Sequence, residues 1–490
     1  MKLNRRKLIK TGALYTLGSS LSLPTFYSKV FAQNLPAPHF FVHIQIEGGL
    51  DLLCSYDPYI SLPVQPGLEP GVSLSETQFC MPFNTEEIIT AGNLLLAPPA
   101  SALKDHFQDI AIINGVWMGI GGASSHESCR TYMASGQPGD GNQSTIMPFE
   151  IAANKERGLF GVVANTSREA INAFRKDVPI SILSPDGSQI GLPSGNDNNE
   201  DTLEQTVSLA IEQVTDFLSG LPSQENSSIS QSRFSYSSSL EAQEAYNQKL
   251  KEFSDSFDSI DFEHCMAAAF LTGNSYQAFY NLGGDYNGPG PRLDNHSDYG
   301  KFHLQNSKWY MDKIAAIFNL FKTTEYSLIP GTSLFDHTTF VVTNEFSRPP
   351  GLDYQLNGQM LSESSVGKGH NPNTNSVLIA GKNVVGNKVI GRSQLLTTYM
   401  KSAYGISNSQ RLGFGSSIVG LPFDYTSELS LNLTPEVATE AAAAPDTAIS
   451  YKIIKPENVV ATIRSIMGID PGLYLKIDMN TPFIKSLVKN

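Results

Sequence analysis

Phe40, Val42, Ile44 and Ile46 alternate with Phe41, His43, Gln45 and Glu47, and the run ends in Gly48, Gly49, Leu50 and Asp51. A period of two is that of a β-strand, whose successive side chains point to opposite faces, and a glycine pair is a natural stop. Four more short apolar runs read the same way: DIAIING (Asp109–Gly115), VPISIL (Val178–Leu183), TTFVVTNEF (Thr338–Phe346) and SVLIAG (Ser376–Gly381). Between them lie helix-like segments at Ser125–Ala134, Thr202–Leu218, Leu240–Leu271, Leu304–Phe321 and Pro456–Met467. Short strands alternating with longer helices predict an α/β chain, a three-layer α/β/α fold with a mostly parallel sheet carrying loop and helical insertions. In such sheets, functional groups gather at the carboxyl ends of the strands.

The first 32 residues read differently. Arg5 and Arg6, followed by Lys7, Leu8, Ile9 and Lys10, precede a weakly apolar run with Ala32 at the expected cleavage point. This is how a twin-arginine export signal reads, with Asn4 where Ser or Thr is usual. The run contains Thr16, Ser19, Ser20 and Ser22, too polar for a spanning helix. Residues 33–490 are then expected as one exported, periplasmic domain with no stable membrane span, with the translocation machinery as its partner during export. The signal holds six basic residues and no acid, so its removal takes the formal net charge from −13 to −19. An acidic surface of that size argues against nucleic acid or anionic lipid as partners.

Polar stretches at 184–201 and 219–239 read as loops, and 434–448 as a flexible insertion. The four cysteines, Cys54, Cys80, Cys129 and Cys265, lack the spacing of a zinc or redox motif. Cys54 and Cys80 are the closest pair in sequence, and buried free thiols are the alternative to a disulfide.

Several acids and histidines stand in loops beside the predicted strands. Asp51 follows the first strand behind two glycines, either a turn aspartate or a cation ligand. Asp294 and His296 stand two apart in RLDNHSDYG, a spacing that lets both reach one ion, with Asp285 and Asp298 as rival carboxylates. Glu345 sits just beyond the TTFVVTN strand, with Arg348 three residues on, and a buried glutamate there needs a cation, a donor or that arginine. His370 is flanked by glycine before the VLIAG strand. Ser125 reads as the cap of a helix that starts at His126.

In order, these elements run from a twin-arginine signal and a strand into GGLD, through a His-led helix ending in MASG, then DNH, NEFSRP, GHN with VLIAG, GNKVIG and a terminal VVATIRSIMGIDP. This order resembles the exported domain-of-unknown-function family 1501, placed in the alkaline phosphatase and sulfatase superfamily. The resemblance runs from Phe40 to about Pro471, with 149–282 as a diverged or inserted region. It implies an alkaline phosphatase-like fold and a divalent metal, zinc first, with calcium or manganese as alternatives. Asp51 matches the acid after the first strand, and Asp294, His296 and His370 would form one ion's shell. Glu345 stands where an Asp-His pair is common, with Phe346 in place of the histidine, so one ligand of a second ion is missing. Counting back from Ser135-Gly136 puts His126, rather than Ser125, at the nucleophile's position; His126, Ser125 or a metal-activated water would then be the nucleophile, and Arg348 would hold an anionic group. The implied activity is metal-dependent hydrolysis of a phosphate or sulfate ester, carried on a small molecule or a glycan. The alternative is a non-catalytic exported binding or assembly protein with a degenerate or structural metal site.

Overall fold

The computed structural model describes residues 37–58, 83, 85–118, 125–138, 146–155, 158, 160–166, 178, 180–183, 242–284, 288–294, 299–348, 355–356, 359–360, 370–395, 418–431, 453–470 and 480–489. Within them, Phe40–Ile46 (β1) sits inside an eight-stranded sheet with Ile110–Ile113 (β2), Gly161–Ala164 (β3), Ile180–Ile182 (β4), Ser275–Asn281 (β5), Thr338–Asn344 (β6), Val377–Gly381 (β7) and Lys388–Ile390 (β8). The order across the sheet is β8-β2-β7-β6-β1-β5-β3-β4. β1 pairs in parallel with β5 and β6, so that Val42 stands between Ala278 and Phe340. β3 is parallel to β4 and β5, and β8 to β2. Only β7 is reversed, antiparallel to both β2 and β6. Its amino end therefore lies at the edge where the other seven strands have their carboxyl ends.

Helices among the described residues include His126–Ser135 (α1), Met147–Asn154 (α2), Phe262–Leu271 (α3), Tyr299–Thr323 (α4) and Pro456–Ile466 (α5). Phe40, Val42, Ile44 and Ile46 face one layer, formed by α3, α4 and the 3-10 turn Pro98–His106. Phe41, with Ala111, Ile113, Val341, Val377 and Ile379, faces the other, formed by α1, α2 and α5. The chain is thus a three-layer α/β/α fold on a mostly parallel sheet. Each apolar side chain moved from water into these layers stabilises the fold by about 1.5–3 kcal/mol.

Local sequence explains the helices. Along α4, Tyr310, Met311, Ile314, Ile317, Phe318 and Phe321 are buried at helical spacing, and the same stripe begins with buried His303 and Ser307. α5 opens on Pro456, whose missing N–H costs nothing in a first turn. α1 opens on Ser125, whose Oγ accepts from Ser128 N at 3.2 Å, and ends on Gly136 in the left-handed conformation (φ 70°).

All five strands expected from the sequence are present. β3, β5 and β8 went unread in the sequence; in β5 (SYQAFYN), Tyr276, Ala278 and Tyr280 share one face, and Phe279 among Ser275, Gln277 and Asn281 on the other blurs the alternation. The expected helical stretch at 240–271 is two helices, one over residues 242–254 and α3. The 149–282 stretch supplies β3, β4 and β5 to the main sheet. The signal segment, the Thr202–Leu218 segment and the loops at 184–201, 219–239 and 434–448 lie outside the described residues. No helix among the described residues is long and apolar enough to cross a membrane. Cys54, Cys129 and Cys265 are buried, and Cys80 is outside the described residues.

Candidate metal centre

At the carboxyl edge of the sheet, the face that buries Phe41 turns polar: His43, Gln45 and Glu47 follow it along β1 and all are buried. Three chain segments meet there. The turn after β1 carries Glu47 to Asp51, the turn after β6 carries Glu345 to Arg348, and the loop entering β7 carries His370. α1 and the segment ending at Asp294 bring in the remaining groups.

Side chains of His126, Asp294 and His370 offer ligand atoms that all lie within 4.8 Å of one another. His126 is the hub. Its Nδ1 lies 2.7 Å from Glu345 Oε1, and its Nε2 lies 3.4 Å from Asp294 Oδ1. Its ring centroid is 4.5 Å from that of His370. Phe346 underlies both imidazoles, stacked on His370 at 4.2 Å and tilted against His126 at 4.9 Å. The helix start sets this placement, since Ser125 caps α1 and so fixes where its first residue, His126, projects.

The electrostatics follow from proximity. Burial opposes a charged His126, but hydrogen bonds and charges from Asp294 and Glu345 outweigh it and raise its pKa to about 9. Burial likewise opposes a charged Asp294, yet His126 and Arg348 together hold its carboxyl well below the usual carboxylate range. Glu345 is fully buried; its Oε1 also accepts from Gly48 N, while its Oε2 has no hydrogen-bond partner among the described residues.

The donor set fits a borderline divalent ion. Two imidazoles and a carboxylate suit zinc. Ligand atoms each about 2.0–2.1 Å from a tetrahedral zinc stand roughly 3.3 Å apart, close to the 3.4 Å between His126 Nε2 and Asp294 Oδ1. A carboxylate on the far nitrogen of a ligating imidazole is the usual support for such a ligand, and Glu345 stands in that place. The Oε2 of Glu345, buried and without a hydrogen-bond partner among the described residues, leaves an acceptor beside the group.

The other residues singled out in the sequence are placed as follows. Glu345 stands behind His126 rather than within the converging group. Asp51 is fully buried; its Oδ1 accepts from Leu53 N at 3.0 Å, capping the turn Leu52–Cys54, and it is not among the three converging residues. Arg348 has no exposed surface. It donates from Nε to Gly49 O at 3.0 Å, from Nη2 to Gly48 O, and from Nη2 to Asp294 Oδ1 at 2.9 Å, so it clamps the glycine turn to Asp294. Gly49 has φ +73°, and a Cβ there would collide with Phe346 and Arg348, so the turn admits no side chain. Ser125 is exposed, its Oγ 2.7 Å from Ser128 Oγ. His296, Asp285 and Asp298 lie outside the described residues.

Two groups went unread in the sequence. Glu47 is ion-paired with Arg130 at 2.6 Å, four residues along α1 from His126. Burial, with the charge of Glu345 adding to it, lifts the Glu47 carboxyl to about 7 against the pull of Arg130 and Asn281. His303, inside the apolar stripe of α4, accepts from Asp51 N at 3.1 Å. A histidine on a buried helical face was the available signal for the second; the first had none, because Arg130 follows the period of an ordinary solvated helix face.

The fold and this edge define a three-layer α/β/α protein with a histidine and carboxylate cluster where its parallel strands end. No family model matches the chain, and no curated protein matches it. Its structural neighbours are alkaline phosphatase superfamily proteins. It is similar to a protein of that superfamily from Vibrio parahaemolyticus, at 12% identity and a TM-score of 0.29 over 92% of this chain and 97% of that one. It is also similar to alkaline phosphatase from the Antarctic bacterium TAB5, at 14% identity and a TM-score of 0.28 over 72% of this chain and 94% of that one. Superpositions this loose assign no residue a role.

Proposed function

We propose that this protein is an exported, metal-dependent hydrolase-like protein acting on a phosphate or sulfate ester, carried on a small molecule or a glycan. The observation that supports it is the convergence of His126, Asp294 and His370, backed by Glu345, at the carboxyl edge of the sheet. These three residues would hold one divalent ion, zinc before calcium or manganese on the nitrogen-rich donor set. An ion held there would supply Lewis-acid chemistry, polarising an ester oxygen and lowering the pKa of water.

The chain's own residues do the rest. Glu345 keeps the His126 proton on Nδ1, leaving Nε2 as the donor atom toward Asp294 and His370. Arg348 holds Asp294 and the glycine turn in place from behind. With both its nitrogens engaged, His126 serves as a ligand, and the attacking oxygen comes from water or from the exposed Ser125 hydroxyl. Metal analysis of protein made with its own export segment, and turnover of aryl phosphate and aryl sulfate with zinc, calcium or manganese, test the reading. One bound ion with turnover of either ester is expected; no metal and no turnover overturns it.

One observation favours the alternative of a non-catalytic exported binding or assembly protein. Protonated His126 and Arg348 already balance Asp294 and Glu345 through ion pairs at 3.4, 2.7 and 2.9 Å, so the cluster closes without an ion. Absence of turnover in a folded protein, with or without a bound ion, would select it.

A further inference from the structure

Asn344, the last residue of β6, is fully buried and joins all three segments that carry the centre. Its Oδ1 accepts from Leu50 N at 2.9 Å. Its Nδ2 is shared among Leu50 O at 3.1 Å, Phe346 O at 2.6 Å and Asn375 Oδ1 at 3.3 Å. Asn375 returns the contact, donating from Nδ2 to Asn344 O, and its Oδ1 also accepts from Ser376 N at 2.9 Å. Leu50 belongs to the turn whose Gly48 N–H meets Glu345, and Phe346 lies under both imidazoles. Asn375 ends the loop that begins at His370, and Asn371 N donates to Ser347 O at 2.8 Å across the same gap.

A carboxamide is suited to this task. It presents two donors and an acceptor in one plane, and at this depth a group left without partners is costly, so its bonds hold a single arrangement of the backbone around it. Arg348, by comparison, bonds the glycine turn, Leu293 O and Asp294.

We infer that Asn344 is a positioning residue, setting the spacing between the β1 turn, the Glu345–Phe346 turn and the His370 loop, and through them the orientation of His126 and His370. The inference rests on the metal-binding reading above for its effect on an ion, but the ordering of the three segments is independent of it.

The test compares Asn344→Ala with Asn458→Ala in the full chain. Asn458 is a buried asparagine on α5 that bonds Lys455 N and Pro482 O and touches none of these segments, so its variant reports loss of stability alone. The first readout is amide exchange in metal-free protein at Gly48 and Asn371, neither of which bonds Asn344, relative to Val42 and Ile44 in the same sample. Asn344→Ala is expected to speed both at least tenfold relative to those core amides, and Asn458→Ala to leave the ratio unchanged. An unchanged ratio in Asn344→Ala overturns the inference whether or not the protein binds metal. The second readout is zinc affinity by competition with a chromophoric chelator. A loss of about tenfold or more is expected in Asn344→Ala, the range seen when support behind a metal ligand is removed, with less than a twofold change in Asn458→Ala. Wild-type zinc binding together with full affinity in Asn344→Ala overturns the inference; absence of wild-type binding overturns the metal-binding reading and leaves the exchange result to decide this one.

Discussion

His126 Nδ1 lies 2.7 Å from Glu345 Oε1, joining the first residue of α1 to the residue just past β6 across 219 positions of sequence. The contact fixes which imidazole nitrogen is turned toward Asp294 and His370, and so decides whether those groups face one ion.

Replacing Glu345 by Gln keeps the shape but removes the charge behind His126. Zinc affinity is expected to fall about 10- to 100-fold, as on removing the support behind other ligating histidines, and His126→Ala to lose binding altogether. Chelator competition measures both. Equal affinity in Glu345→Gln and wild type would show that Glu345 does not support the ligand.

Ser125→Ala separates capping from attack. Loss of the bond to Ser128 N is expected to cost about 1 kcal/mol of stability, read by chemical denaturation, while kcat/KM on an aryl ester stays within a few-fold. A drop of more than a hundredfold at that modest stability loss would instead make the Ser125 hydroxyl the nucleophile.

Arg348 neutralises Asp294 and satisfies two carbonyls of the glycine turn while fully buried. Arg348→Met strands these groups, and a destabilisation of about 3–5 kcal/mol is expected for breaking a buried pair. Arg348→Lys is not expected to restore it, because one ammonium cannot match the planar fork. Urea unfolding tests both, and a loss below 1 kcal/mol in Arg348→Met would rule out the clamp.

Stability should fall on the acid side. Burial lowers the pKa of His43 from 6.5 to about 3, with its Nε2 held 2.8 Å from Thr343 Oγ1. The unfolded chain takes up this proton below pH 6.5 and the folded chain only near 3. His43 therefore has no effect above 6.5 and costs up to about 1.4 kcal/mol per pH unit as pH falls through that window. His39, lowered to about 3 by burial and nearby lysines, acts in the same direction. Glu47 and Asp57, raised by burial to about 7 and about 6, act oppositely, since their stability contribution falls as pH rises. Comparing wild type with His43→Gln isolates one proton, and parallel stability curves from pH 6.5 to 4 would refute its burial in neutral form.

The layered α/β/α architecture was legible because its signals are local. Alternation in Phe40–Ile46, the β-branched and aromatic run of β6 (TTFVVTN) and the stripe along α4 are each local to a single element. The same is true of the Ser125 cap and of the interest of Asp294, Glu345 and His370, which stand beside strand ends. β5 went unread because Phe279 joins Ala278 and Tyr280 in a three-residue apolar run that masks the alternation of Tyr276, Ala278 and Tyr280 with Ser275, Gln277 and Asn281.

By itself, then, the sequence determined five strands of the sheet, the helices α1, α3, α4 and α5, and the edge at which chemistry gathers, and missed β3, β5, β8 and α2. Only the tertiary structure decided that Arg348 turns inward as a clamp, that Asp51 caps its own turn, that His303 and the Glu47–Arg130 pair lie beside the centre, and that His126 joins Asp294 and His370. The reversal of β7 is the reason for the last of these: it delivers His370 to the carboxyl edge of the other strands, and strand direction is set by pairing with distant residues, Leu378 meeting Val342 and Ile112, which no local period encodes.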